Sequence, residues 1–485
     1  MKSNSLFVPL GELFKTTSGG TPSRNNNSYY NGIIPWVKSG ELKESVIFDT
    51  EEHISDEALI KSSAKLFPKG TLLIALYGAT IGRLAILGIN ATTNQAICGI
   101  FPNTLIDHKY TYYYLLYSKP KLIQKGIGGA QPNINQDILR NQLFPLISVP
   151  EQRAIVAKLE QLFSELDNGI TCLKKAQEQL KIYRQAVLKQ AFEGELTKAW
   201  REQQTNLPSA QELLANIKRE REQAAKLQGK KLKPVIPLTK AELDDLPALP
   251  NEWRWMKYDE IGYWTGGGTP SKGNITYWQD GNVLWVSPKD MKVRTIFNTI
   301  DKITPLSILQ SSAKLIQANS ILFVVRSGII RRTLPISIAG KELTVNQDLQ
   351  SLTLYSGNFN FIYWYSISNE QLIRSICAKD GTTVDSLEVT KLKNFPVSFC
   401  SPQEQSQIVQ EIETRLSVCD NIESTIRESL EKAEALRQSI LKKAFEGKLL
   451  REEELQITRN APDWEPAEKL LERIRAEKQT ARNKH

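Results

Sequence analysis

Cysteine, histidine and methionine are scarce in this chain of 485 residues, at five, three and three. Cys98, Cys172, Cys377, Cys400 and Cys419 are odd in number and show no Cys-x-x-Cys spacing, so neither a disulfide framework nor a zinc site is encoded. All five are expected to be buried free thiols. Long hydrophobic runs are lacking too. The most apolar stretch, Leu72 to Ile89, is interrupted by Gly78, Gly82 and Arg83 and falls short of the ~18–20 apolar residues that a bilayer requires. Met1 to Phe14 has no apolar centre of signal-peptide length, so the expectation is a cytoplasmic protein with no membrane partner. Also missing are a Gly-x-x-x-x-Gly-Lys-Ser/Thr phosphate loop, a dinucleotide fingerprint (Gly266-Gly267-Gly268 opens no helix) and an Asn-Pro-Pro-aromatic tetrapeptide for holding a flipped base. Nucleotide-driven work and methyl transfer are therefore not encoded.

What is present is a duplication. Gly19-Gly20-Thr21-Pro22-Ser23 recurs as Gly267-Gly268-Thr269-Pro270-Ser271, and the motifs that follow recur in the same order. Tyr29-Tyr30 is matched by Tyr277-Trp278, Trp36-Val37-Lys38 by Trp285-Val286-Ser287, and Ser62-Ser63-Ala64-Lys65 by Ser311-Ser312-Ala313-Lys314. Asn94-Gln95 meets Asn346-Gln347, Phe144-Pro145 meets Phe395-Pro396, and Ala191-Phe192-Glu193-Gly194 meets Ala444-Phe445-Glu446-Gly447. A two-fold repeat of whole domains suggests a two-fold target, for which a palindrome-like duplex is the commonest object. The net charge of +9 agrees, since a positive field steers polyanions and supplies sequence-independent affinity.

The stretch 1–147 and the stretch 246–400 mix short β-rich runs (Leu72 to Leu76, Leu84 to Leu87, Ile321 to Val325) with turn residues and one helical pattern each, near Tyr110 to Lys125 and Phe359 to Ile376. Each reads as a compact mixed α/β domain. Ser148-Val149-Pro150-Glu151 and Ser401-Pro402-Gln403-Glu404 have the form of a capping box with an early proline, and open long helices over 148–200 and 401–450. From Ile155 to Ala191 and from Ile408 to Ala444 apolar residues recur at steps of three or four. That spacing lays a stripe along each helix which must meet a partner, and the obvious one is the other copy. Gly194 and Gly447 stand where left-handed caps would end the helices, each ~65–70 Å long. A two-fold axis requires the helices to run antiparallel, with the helical linker 201–245 and the residues up to 250 returning the chain from one end of the rod to the other. The tail 451–485 repeats part of that linker: Ala210 to Leu214 with Ile217 is echoed by Ala467 to Leu471 with Ile474. The fold class is α+β: two pseudo-symmetric mixed α/β domains separated by two long antiparallel helices forming a coiled coil.

Chemistry is carried by few residues. Glu41-Leu42-Lys43 and Asp290-Met291-Lys292 have the acid-x-Lys spacing of metal-dependent nucleases, yet no acid lies between Leu13 and Gly40 to complete a metal site in the first copy, and a structural loop is the stronger reading. The Gly-Gly-Thr-Pro-Ser turn serves strand geometry, with phosphate contact as the alternative. Trp36 and Trp285 read as core residues rather than base-stacking platforms. The amides of Asn94-Gln95 and Asn346-Gln347 suit adenine edges, but two halves that read different bases should differ where they read, so shared residues point to scaffold. The copies diverge around Tyr77, Thr80 and Arg83 against Arg326, Arg331 and Arg332, and around Gln131 and Asn133 against Thr382 and Thr383. These residues, with Lys38 and Lys289 after the duplicated tryptophan strands, are the expected DNA contacts; catalytic, metal and cofactor residues are expected to be absent.

The order of these motifs, twice over, resembles the specificity subunit of type I restriction-modification enzymes across essentially the whole chain. Leu249-Pro250-Asn251-Glu252-Trp253, which opens a target-recognition domain in that family, precedes only the second copy, so the first is expected to lack an edge element. The resemblance implies a non-catalytic subunit whose two target-recognition domains each read half of a split double-stranded DNA site. Its paired helices would set the distance between the halves and dock two modification (methyltransferase) subunits, with two restriction (endonuclease and translocase) subunits completing the complex. S-adenosylmethionine, ATP and Mg would belong to those partners. A half-site of three or four base pairs recurs about every 60–250 pairs, and each mismatch costs only about 1–3 kcal/mol, so useful specificity needs both halves. The alternatives are a metal-dependent restriction nuclease and a stand-alone two-domain DNA-binding regulator.

Overall fold

The computed structural model describes residues 5–126, 133–227, 234, 236–379 and 385–482. The chain forms two compact units, residues 1–174 with 427–485 and residues 175–426. Each therefore contains one copy of the duplicated domain, the first part of the helix that follows it and the last part of the other helix.

The first copy contributes strands β1 (Leu6–Pro9), β2 (Thr16–Ser18), β3 (Ile34–Val37), β4 (Val46–Ile47), β5 (Glu52–Ile54), β6 (Leu66–Phe67), β7 (Leu72–Ala75), β8 (Leu84–Leu87), β9 (Ala91–Thr93), β10 (Ile97–Ile100) and β11 (Leu143–Leu146). They form sheets ordered β2-β10-β7-β8-β4, β5-β3-β9-β6 and β1-β11. The second copy supplies β12 (Arg254–Lys257), β13 (Gly262–Gly266), β14 (Val283–Val286), β15 (Thr295–Ile296), β16 (Asp301–Ile303), β17 (Leu315–Ile316), β18 (Ile321–Val324), β19 (Ile336–Ala339), β20 (Leu343–Val345), β21 (Leu349–Leu354) and β22 (Pro396–Phe399). Their orders, β13-β21-β18-β19-β15, β16-β14-β20-β17 and β12-β22, repeat the first copy strand for strand. The register repeats as well, with Trp36 parallel to Thr92 and Trp285 parallel to Thr344. Central strands β7 and β18 are buried at every residue, which is why they read as unbroken apolar runs rather than alternating ones.

The edge element expected to be missing from the first copy is present. Strand β1 pairs antiparallel with β11, Leu6 opposite Leu146, as β12 pairs with β22. Backbone pairing needs only an extended segment, so Leu-Phe-Val-Pro fills the place without the opening motif of the second copy.

The two long helices run Val149–Phe192 and Pro402–Phe445, 44 residues each. Ser148 and Ser401 cap them by accepting from the N–H of Glu151 (3.4 Å) and Glu404 (3.2 Å). Gly194 and Gly447 end them with φ of +79° and +69°, and the next residues bond back to the carbonyls of Gln190 and Lys443. Within each unit the two helix segments pack antiparallel, and the same pair of residues recurs with partners exchanged. Arg184 bonds Asp420 (2.6 Å) and Glu423 (3.0 Å) in one unit, and Arg437 bonds Asp167 in the other. Each helix ends in the opposite copy's core. Phe192 lies edge-on against Phe361 and Tyr365, while Phe445 packs on Tyr110, Tyr114 and Tyr117. Helix Ala210–Leu227 buries Leu213 and Ile217 in one unit, and helix Ala467–Arg482 buries Leu470 and Ile474 in the other.

The segment 201–250 does not return the chain between ends. Its described residues belong to the unit of residues 175–426, because the first long helix has already delivered the chain to the second copy. A second correction concerns the thiols. Cys98, Cys377, Cys400 and Cys419 are buried, with burial pushing Cys98 up to about 12 and Cys377 up to about 11, whereas Cys172 is exposed. Helix residues flanking an apolar stripe face solvent, and Cys172 is one of these. A native thiol titration should count one fast cysteine, abolished by Cys172→Ser, with the other four appearing only on unfolding. More than one fast thiol would contradict this packing.

Candidate nucleic-acid interface

Shared motifs from four parts of each copy meet at one place. A Cβ on Gly20 would lie 2.2 Å from the Ser63 carbonyl oxygen, and one on Gly268 would lie 2.5 Å from that of Ser312, so only glycine lets these chains approach. Trp36 and Trp285 are buried, each donating its indole N–H to the second glycine's carbonyl at 3.0 Å. Thr21 and Thr269 donate hydroxyls to the Oε1 atoms of Gln95 and Gln347. The tryptophans are core, and the glycine pair has a geometric purpose.

The divergent loops are brought together beside this scaffold. In the first copy the β7–β8 loop, 76–83, turns tightly through Gly78 (φ +82°) and Gly82 (φ +74°), and its Leu76 carbonyl accepts the N–H of Ile134 at 2.8 Å. Tyr77 and Thr80 are half-buried there, while Arg83 and Asn133 are exposed. In the second copy the equivalent β18–β19 loop forms a short helical turn, Gly328–Arg331, capped by Ser327, whose N–H bonds the Asp385 carbonyl at 3.1 Å. Arg326 pairs with Asp348 at 2.6 Å and Arg331 with Asp385 at 3.3 Å. Arg332 is exposed and, among the described residues, has no ion-pair partner. Gln131, Thr382 and Thr383 lie outside the described residues.

Lys38 starts the segment beside this loop, since the Asn94 N–H bonds the Val37 carbonyl (3.0 Å) and the Glu44 N–H bonds that of Leu84 (2.9 Å). Its ammonium is held by Glu51 at 2.8 Å and Glu52 at 3.1 Å, and these carboxylates raise it above the ordinary lysine value. Lys289 is exposed in the matching turn. Sequence reasoning missed the brace under the second loop. Arg374 donates to the carbonyl of Arg331 at 2.8 Å, and Glu370 accepts the Leu334 N–H at 2.5 Å. Both stand on helix Glu370–Ile376 and pair with each other at i,i+4 (3.3 Å), a spacing that signals a helical ion pair but not a brace under a loop.

The acid-x-Lys triplets have a structural job. Glu41 accepts the N–H groups of Lys38 (2.7 Å) and Glu51 (2.9 Å), and Asp290 accepts those of Ser287 and Ile300, both at 2.9 Å. Each carboxylate staples one turn to the loop that follows. Asp290→Ala should lower stability by about 1–2 kcal/mol through the orphaned donors and leave DNA cleavage by an assembled restriction complex intact. Loss of cleavage with normal DNA binding would restore a catalytic role.

The chain is similar to known proteins in sequence and in fold. The family model of the type I restriction modification DNA specificity domain matches residues 2–175 and again 250–432. The specificity subunit of the EcoDI type I restriction enzyme of Escherichia coli is 24% identical over 475 residues, 97% of this chain and 94% of that protein. That of EcoR124I/EcoR124II, also from Escherichia coli, is 37% identical over 188 residues, 39% of this chain and 46% of that protein. Among solved structures, the HsdS subunit from Thermoanaerobacter tengcongensis is similar with a TM-score of 0.56 at 18% identity, covering 92% of this chain and 97% of that one. A chain from a study of complex assembly and conformational transition in the type I R-M system reaches 0.65 at 17%, covering 92% and 98%. Two matched segments on two copies of one sheet topology place the chain: it belongs to the type I restriction-modification DNA specificity family, with one specificity domain in each of its units.

Proposed function

We propose that the chain reads a bipartite double-stranded DNA site, one half with the loops 76–83 and 133–135 and the other with 325–335 and 385–388. The supporting observation is the division of labour within the repeat. Buried residues shared by both copies build one scaffold, and the loops in which the copies differ converge at the same end of that scaffold, as two readers of different sequences require. Arg83, Asn133, Arg326, Arg331, Arg332 and Lys289 are the contacts we assign to bases and phosphates, with Tyr77 and Thr80 shaping the first loop. Lys38 contributes charge to the same face.

The chain itself is non-catalytic in this reading. Two modification subunits dock on it and bring S-adenosylmethionine, and two restriction subunits bring the ATP- and Mg-dependent translocation and cleavage, all in the cytoplasm. A docking role is supported by apolar side chains left exposed on the long helices, among them Ile182, Val418, Ile422 and Leu436. Among the described residues no helix is long and apolar enough to cross a membrane.

Binding curves at two salt concentrations test this, with the purified chain alone and then with the modification subunit. Sequence-specific binding is expected only with the modification subunit, and a steep salt dependence in both cases. Tight specific binding by the chain alone would favour a stand-alone regulator.

A further inference from the structure

Residues common to both copies divide by exposure. Trp36, Trp285, Ala64 and Ala313 are buried, and packing alone accounts for their duplication. Gln95 and Gln347, Lys65 and Lys314 are exposed, and packing does not account for them. Hydrogen bonding does not either, since an exposed pair such as Thr21 with Gln95 competes with water and adds little stability. Yet the pair is repeated as Thr269 with Gln347, in copies whose neighbouring loops have changed both sequence and conformation. Something outside the protein that is the same for both halves would preserve it. In a split DNA site the bases differ between halves, and the phosphate backbone does not.

The chemistry fits that ligand. With each exposed glutamine's Oε1 accepting from threonine, the amide nitrogen is left as a pure donor and has no partner among the described residues. The lysine stands two residues after the serine that the second glycine approaches, just before β6 in one copy and β17 in the other; Lys65 Nζ donates to Thr17 Oγ1 at 2.7 Å, two residues before Gly19. Donors without an accompanying acceptor suit phosphate oxygens. Gln95 and Gln347 also stand next to the reading loops, since the Leu76 N–H bonds the Ala96 carbonyl and the Arg326 N–H that of Asp348.

We infer that Thr21–Gln95 with Lys65, and Thr269–Gln347 with Lys314, are equivalent phosphate clamps that seat each domain on its half-site without reading bases. The inference rests on the proposed reading of DNA by these loops. Gln95→Glu with Gln347→Glu tests it, because glutamate still accepts the threonine hydroxyl but turns a carboxylate toward the phosphate. The full chain with its modification subunit would be incubated with a random-sequence duplex pool, measuring the bound fraction and the enriched motif. Binding should weaken about tenfold or more for all duplexes, from like-charge juxtaposition, with the motif unchanged. An unaltered bound fraction overturns the clamp, and so does a motif changed in one half, which would make the glutamine a base reader. Lys65→Gln with Lys314→Gln is a second, independent arm: the slope of log affinity against log salt should fall by about two, and an unchanged slope overturns the inference. If the unsubstituted complex enriches no motif, the DNA-reading function itself fails.

Discussion

Glu404→Ala should cost the unit of residues 175–426 about 3–5 kcal/mol, the largest loss expected from a single substitution. The Glu404 side chain is fully buried and accepts from Thr197 Oγ1 (2.8 Å), Arg201 (2.5 Å) and Trp253 Nε1 (2.8 Å). Arg201 in turn donates to the carbonyl of Gly194 at 2.9 Å, which ties in the end of the first long helix. One carboxylate thus joins the end of one helix, the start of the other and the entry to β12. Removing it leaves a nearly buried guanidinium with only the longer pairing to Glu252 at 3.7 Å, and two donors unsatisfied. Hydrogen exchange read by mass spectrometry should show protection falling in 194–201, 253–257 and 402–410 while β7 to β10 keep theirs. Unchanged protection in the second unit would mean that the apolar packing of Phe192 suffices.

The equivalent position in the first unit behaves otherwise. Aligning the two Ala-Phe-Glu-Gly segments, and β1 with β12, puts Leu450, Glu454 and Ser5 where Thr197, Arg201 and Trp253 stand. Glu151 is half-buried, and burial pushes its carboxyl above the ordinary value, partly offset by Arg459. A raised carboxyl favours the folded state at low pH, and that contribution is lost as pH rises through the folded value. Glu151→Gln should therefore leave the first unit as stable at neutral pH or make it more stable. Surface ion pairs, Arg153 with Asp463 at 2.8 Å and Lys158 with Glu454 at 3.1 Å, take over the joining role there.

Most of the architecture was legible because it was written twice. Two occurrences of Trp-Val, Asn-Gln and Phe-Pro in one order announced two equal domains, and helix starts at Ser148 and Ser401 follow from local capping chemistry that needs no tertiary knowledge. Strand order was not legible, since β10 lies between β7 and β2, and its pairing with β2 joins residues about 80 apart along the chain. Strand β1 escaped notice for a related reason: Leu6 to Pro9 make a strand only because β11 offers an edge. Glu404 was read as half of a capping box, and its true partners come from segments roughly 150 and 200 residues away. In the loops proposed to read DNA, residue types were visible and their pairing was not. Arg326 and Arg331 each face a carboxylate supplied by another part of the chain, which orients the side chains before any ligand arrives.

Exchanging 252–400 for a recognition domain of another relative should rewrite one half of the DNA site and leave the other untouched. The packing sets the conditions. The second copy enters at Trp253 and leaves at Phe399, but its core also holds Leu188, Ala191 and Phe192 from the first long helix and Ile408 and Ile412 from the second. Ser398 Oγ donates to the Phe192 carbonyl at 3.1 Å, and Tyr365 meets the Phe192 ring. A guest must therefore bring an aromatic pair in place of Phe361 and Tyr365, a tryptophan for Glu404 and a small hydroxyl residue at the penultimate position of its last strand. A guest meeting these conditions keeps the buried carboxylate hub intact and imports its own loops in place of 325–335 and 385–388. With three or four base pairs in a half-site and about 1–3 kcal/mol lost per mismatch, affinity for the original site should fall by about a hundredfold or more. Motif enrichment from a random duplex pool reads both halves at once. Loss of the half read by the first copy would show that the two domains do not act independently, and retention of both halves would show that the loops of the second copy are not what reads the DNA.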